Sequence, residues 1–91
     1  MEWKASHILV KSQSQAADLQ RKIKQGANFE AMARDFSTCP SKSKGGDLGW
    51  FGPGQMVPEF ERACTKIGVG AISDVVRTQF GYHVIKLTGK K

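Results

Sequence analysis

The spacing of apolar and polar positions changes several times along the chain, and each change marks an element. Trp3, Ala5, His7 and Leu9 alternate with Lys4, Ser6, Ile8 and Val10, and the apolar run Ile8-Leu9-Val10 predicts a buried strand from about Lys4 to Val10. From Ser14 the period lengthens: Ala16, Leu19 and Ile23 share one helical face, charges occupy the others, and Gly26 suits a C-terminal cap. Asn28 can cap a second helix whose Phe29, Met32, Ala33 and Phe36 stand at i, i+3, i+4 and i+7. That stripe is expected to pack into the core.

Residues 37 to 54 break the periodicity with Pro40, a Ser/Lys segment and glycines at 45, 46, 49, 52 and 54, interrupted in bulk only by Leu48, Trp50 and Phe51. A stretch this long in a small chain is often functional, and a short helix or strand can hide within it. Pro58 suits the first turn of a third helix, where Glu59 and Glu61 complement the positive N-terminal end. Phe60, Ala63, Cys64 and Ile67 repeat the helical stripe, and Gly68 ends it. Val75-Val76 is a short strand signal, and Tyr82 to Leu87 alternates with His83, Ile85 and Leu87 on one face. Strands at both ends with helices between predict an α+β domain, a small sheet covered by helices, spanning residues 1–91.

At 91 residues, the chain can bury one core but not two. Its hydrophobic fraction of 40% and charged fraction of 24% are those of an ordinary globular domain. No run suits a membrane span, and Met1-Glu2-Trp3-Lys4 does not resemble a signal peptide, so the expected location is the cytoplasm. Two cysteines, Cys39 and Cys64, without CxxC spacing, fit reduced thiols in that compartment. The net charge of +6 raises the question of nucleic acid. Residues 1–50 carry 8 Lys/Arg against 5 Asp/Glu and residues 51–91 carry 6 against 3, so each part holds +3 and no basic arm stands apart. A solvated surface is the simpler reading, with Lys90-Lys91 and Arg21, Lys22 and Lys24 as local patches.

The chemistry-bearing residues are few. Parity places His7 with Ala5 and Leu9, and His83 with Ile85 and Leu87, so pairing of the terminal strands would let the two imidazoles meet and fix each other's tautomers. On this pattern alone, satisfied structural histidines outweigh catalytic ones. Cys39 as a nucleophile would need a depressed pKa and a base within reach, which spacing does not specify. His7, Cys39, Cys64 and His83 show no metal-ligand spacing, and the glycines of Gly45-Gly46-Asp47-Leu48-Gly49 form neither GxGxxG nor GxxxxGK[ST]. No metal or cofactor is signalled.

Five strings in order decide more than any spacing: Ser6-His7-Ile8-Leu9-Val10-Lys11, Phe29-Glu30-Ala31-Met32-Ala33 leading to Phe36-Ser37, Gly45-Gly46-Asp47-Leu48-Gly49, Gly54-Gln55-Met56-Val57-Pro58-Glu59-Phe60, and Phe80-Gly81-Tyr82-His83-Val84-Ile85-Lys86. Together they span almost the whole chain, which resembles the parvulins, a family of peptidyl-prolyl cis/trans isomerases, in a minimal form with nothing appended. The resemblance implies a small four-stranded antiparallel sheet flanked by about four helices, with the extra strand near Leu48 to Phe51. It implies a proline pocket lined by Leu48, Met56, Phe60 and Phe80, and a polar side formed by a hydrogen-bonded group around His7, Cys39, Thr78 and His83, with Trp50 and the first two helices as scaffold.

The implied activity is rotation of X-Pro bonds in unfolded or flexible segments, assisting folding as a monomer without cofactor or covalent step. Phosphate-directed parvulins carry a basic loop after the first strand; here only Lys11 separates that strand from Ser12-Gln13-Ser14, so uncharged or apolar residues before proline are expected. A non-catalytic peptide-binding chaperone would use the same groove, and a basic nucleic-acid module is the third reading.

Overall fold

The computed structural model describes residues 1–91. Strand β1 (Trp3–Val10) is followed by helices α1 (Gln13–Lys24) and α2 (Phe29–Phe36), a 3-10 turn (Pro40–Lys44), β2 (Asp47–Phe51), α3 (Pro58–Lys66), β3 (Val76–Thr78) and β4 (Gly81–Lys90). The four strands form one antiparallel sheet in the order β2-β1-β4-β3. The two terminal strands are therefore its centre, as a pair that meets along eight registered positions from Trp3↔Lys90 to Val10↔Tyr82.

Because side chains alternate across a strand, the sheet has two faces and buries both. Ile8, Val10 and Val84 face α1 and α2, meeting Ala16, Leu19, Ile23, Phe29 and Ala33. Trp3, Ala5, Ile85 and Leu87 face the other way and meet Phe51 and, on α3, Phe60 and Cys64. Each helix has a local cause. Ser12 caps α1 by accepting the Gln15 N–H, Asn28 caps α2 by accepting the Ala31 N–H at 2.8 Å, and Pro58 opens α3, whose N-cap Val57 offers no side-chain oxygen.

Several expectations need correction. Three α-helices and one 3-10 turn flank the sheet, rather than about four helices, because Pro40 begins a turn that Gly45, in the left-handed region at φ +68°, closes after five residues. The turn-rich stretch thus contains two elements that periodicity did not reveal, this turn and β2. Phe36, expected in the core stripe of α2, is 43% exposed. It is the last residue of an eight-residue helix, after which Ser37 turns off to bond β1. Trp50, implied as scaffold, lies outside the cavity but is 45% exposed on an edge strand, with the Lys91 ammonium 4.6 Å over its ring. No helix is long and apolar enough to cross a membrane.

Candidate active site

The α3 face of the sheet carries both histidines, and the neighbouring loops determine what surrounds them. β2 pairs with the first half of β1, and from His7 onward other groups take over that edge: His7 N–H donates to Gly46 O at 2.9 Å, Leu9 N–H to Ser37 Oγ at 3.1 Å, and Leu9 O accepts Thr38 N–H at 2.8 Å. The chain after α2 is thereby pinned along β1, which delivers Cys39 beside His7. Gly46 makes this approach possible. Its φ is +87°, and a Cβ there would lie 2.4 Å from His7 O.

The histidines are diagonal neighbours across β1 and β4, His7 opposite Ile85 and His83 opposite Leu9. Their Nδ1 atoms are 2.9 Å apart, and His83 Nε2 is 2.7 Å from Thr78 Oγ1, which also accepts the Phe80 N–H at 3.1 Å. One Nδ1 must donate and the other accept, so Thr78, His83 and His7 form one chain whose direction the tautomers set together, and it ends at His7 Nε2, which has no protein partner. With 5% and 3% of their surfaces exposed, both rings are effectively dry. Burial, and secondly the neighbouring His83, hold His7 down to about pKa 4; burial alone holds His83 down to about 4. Both imidazoles are accordingly neutral at neutral pH. The Phe60 ring stands edge-on to each at 5.7 Å and edge-on to Phe51 at 5.9 Å. It belongs to the core cluster and forms the floor of a cavity at the same time.

That cavity has a volume of about 620 Å³ and opens to solvent. Its apolar wall is built from Leu48 at the start of β2, Met56 and Val57 before α3, Phe60, Leu9 and Phe80. The segment leading to Met56 is held by Glu61, whose carboxylate accepts the Gly54 N–H at 2.8 Å. His7, His83 and Cys39 line the polar side. Seven of the eight residues expected at the site thus share one cavity, and the eighth, Thr78, stands behind His83. Cys39 does not join the hydrogen-bonded group as expected. Its sulfur accepts the Ser41 hydroxyl at 3.3 Å and its N–H donates to Ser37 Oγ, both local partners in the turn that holds it. Both cysteines are free thiols; Cys64, in the core, is pushed up to about pKa 11 by burial and then by Glu61.

Sequence reasoning did not single out Leu9, Lys11, Thr38, Pro40, Gln55 and Val57 as lining residues. Leu9 shares parity with His7, and that shared face was the signal that could have found it. Thr38 and Pro40 had no such signal, because Thr38 enters the site through hydrogen bonds to Leu9 O that have no periodic signature, and Pro40 follows it at the start of the 3-10 turn. No group of three or more His, Cys, Asp or Glu side chains converges closely enough to hold a metal ion.

A rotamase family model, the PPIC-type PPIase domain, matches residues 6–89. Among curated proteins, the foldase protein PrsA of Geobacillus kaustophilus is 52% identical over 89 residues, covering 97% of this chain and 32% of the relative. Among solved structures, the peptidylprolyl isomerase PrsA of Bacillus anthracis superposes with a TM-score of 0.97 at 53% identity, over 99% of this chain and 42% of that one. NmPin, the parvulin of Nitrosopumilus maritimus, does so with a TM-score of 0.85 at 43% identity, over 97% of this chain and 96% of its own. The chain spans about a third of the length of the curated foldases it matches.

Proposed function

The chain belongs to the family of PPIC-type peptidyl-prolyl isomerase domains, the parvulins, and from that membership we propose that it rotates X-Pro bonds in unfolded or flexible polypeptides by a non-covalent route, assisting their folding. The observation that carries this reading is the conjunction of an apolar floor, Phe60, Met56 and Leu48, with a neutral histidine pair in one cavity.

An X-Pro bond faces a barrier of roughly 18 to 20 kcal/mol because the planar amide is stabilised by charge-separated resonance. Rotation breaks that resonance, so the twisted amide is less polar than the planar one. A largely apolar wall beside two buried, neutral imidazoles therefore favours the twisted form, and each ~1.4 kcal/mol of such preference gives tenfold in rate. Burial of the prolyl ring against Phe60 and Met56 fixes one side of the bond while the preceding residue turns. The histidine pair contributes oriented N–H and lone-pair dipoles without a formal charge, in a frame kept rigid by Thr78 and the edge of Phe60. Cys39 has no base hydrogen-bonded to its sulfur, which supports its role as a wall rather than a nucleophile.

The finer readings follow from the same cavity. Lys11 is the one residue with a full charge among those lining it, and its ammonium already donates to Phe80 O, so no cluster of free cations faces a phosphate; this supports acceptance of uncharged residues before proline over selection of phosphorylated ones. A tenfold or greater advantage for phosphoserine-proline peptides would contradict this. Action as a monomer belongs to the same proposal and is to be checked by sedimentation. Two free thiols support a reducing, cytoplasmic setting, which fractionation of cells producing the protein tests. The activity itself is tested by exchange spectroscopy on proline peptides with the protein present and absent.

A further inference from the structure

Phe80 differs from the rest of the apolar wall. It is 51% exposed and sits on the two-residue turn between β3 and β4, so packing does little to set its position. Its backbone is held instead. The N–H donates to Thr78 Oγ1 within the hairpin, and the carbonyl accepts from Lys11 Nζ at 3.0 Å across 69 residues of sequence. Lys11 is the first residue beyond β1, and none of the ion pairs of the molecule includes it. Beside it the hairpin presses directly on β1: at Gly81, where φ is +138°, a Cβ would lie 2.6 Å from Val10 O. The turn that carries Phe80 is therefore clasped to the end of the central strand by a backbone contact on one side and an ammonium on the other.

We propose that Lys11 is a positioning residue, whose ammonium fixes the Phe80 turn as a preformed lip over the cavity. This rests on the isomerase reading and adds to it a group that acts on the turn rather than on the substrate. Ordering the lip in advance spares the bound peptide that entropic cost, a contribution made equally to ground and transition states. Loss of the clasp should weaken binding and leave the rate of rotation in the complex nearly unchanged. Lys11 is also a lining residue of the cavity, so the variant that isolates the ammonium is Lys11→Met, which keeps an apolar stem; Lys11→Arg keeps a donor.

The test uses the full chain and an Ala-Pro peptide, with the dissociation constant read from amide shift titration and exchange rates read separately. Lys11→Met should raise the dissociation constant about threefold to tenfold and keep the rate in the complex within about twofold, at an unchanged melting temperature. Lys11→Arg should recover at least half of the loss on a logarithmic scale. In a Phe80→Ala background the same Lys11→Met change should have less than about a 1.5-fold effect, since the lip it positions is gone. An unchanged dissociation constant for Lys11→Met overturns the proposal, as does an equal loss in the Phe80→Ala background. A loss confined to Glu-Pro peptides overturns it too, because Lys11 would then be an anion-binding group. Failure of the unmodified protein to accelerate exchange would sink the isomerase reading, whereas the titrations judge the clasp by itself.

Discussion

Acid should unfold this protein through its two histidines, in a pH range where carboxylates are still ionised. In the folded state both imidazoles lie down at about pKa 4, against 6.5 for the free side chain, because protonation would put a cation into a site that is almost fully buried. A folded-state pKa below the unfolded one means that the unfolded chain binds protons first. Stability is therefore complete above pH ~6.5 and is lost as pH falls towards ~4. A tenfold difference in proton affinity between the two states is worth ~1.36 kcal/mol, so one imidazole contributes about 3 kcal/mol. Part of the lowering at His7 is repulsion from His83 and cannot be counted twice, which leaves about 4 to 6 kcal/mol for the pair. Domains of this size hold roughly 5 to 15 kcal/mol in all, so the loss is a large fraction of the total. Urea unfolding followed by fluorescence of the buried Trp3 should show a free energy flat above pH 7 and falling by up to ~2.7 kcal/mol per pH unit below 6, the slope for two protons. In His7→Leu the steepest slope should halve. Imidazole nitrogen shifts that titrate near 6.5 in the folded protein, or a stability constant from pH 7.5 to 4.5, would mean that the pair is not held neutral by burial.

Substitutions at three positions separate framework from chemistry. Phe60→Ala removes a ring that is 2% exposed and touches both histidines and Phe51; it should cost about 3 to 5 kcal/mol by urea titration, whereas Phe60→Leu should keep the fold at under about 2 kcal/mol yet lose at least tenfold in isomerisation. Gly46→Ala places a methyl 2.4 Å from His7 O at a positive φ, so it should destabilise by at least ~2 kcal/mol in the same assay; a neutral effect would show that the loop does not need this close approach. Cys39→Ser should retain isomerisation within about tenfold, measured by line-shape exchange, because no bond to sulfur forms; loss of a thousandfold or more would restore the nucleophile reading.

What the sequence disclosed follows from which interactions are periodic. The faces of β1 and β4 were legible because side chains alternate residue by residue along a strand, which put His7 with Ala5 and Leu9 and His83 with Ile85 and Leu87. The diagonal that brings their Nδ1 atoms to 2.9 Å depends on register, which no single strand encodes. Strand β2 is invisible to periodicity, since its five residues include Gly49 and the exposed Trp50 and lack an apolar alternation, and only the resemblance implied it near Leu48 to Phe51. Phe60 read as core from helical spacing and as a pocket residue from resemblance, and its ring occupies both positions. Phe36 read as core for the same helical reason and is half in solvent, because a stripe says which face is apolar and not how far the sheet extends beneath it. The place of Cys39 depended on Ser37 and Thr38 bonding the open edge of β1, a non-local arrangement without a local signal.

We hold that the cavity lowers the barrier to prolyl rotation, and exchange spectroscopy reads that barrier itself. An Ala-Pro peptide at millimolar concentration and catalytic amounts of the protein should show cis-to-trans cross peaks within a second, against the tens to hundreds of seconds of uncatalysed exchange. Phe60→Leu, folded by amide dispersion, should reduce those cross peaks at least tenfold. Peptide that binds with shift changes at the residues lining the cavity but exchanges no faster than in buffer would contradict the claim and leave a peptide-binding module in its place.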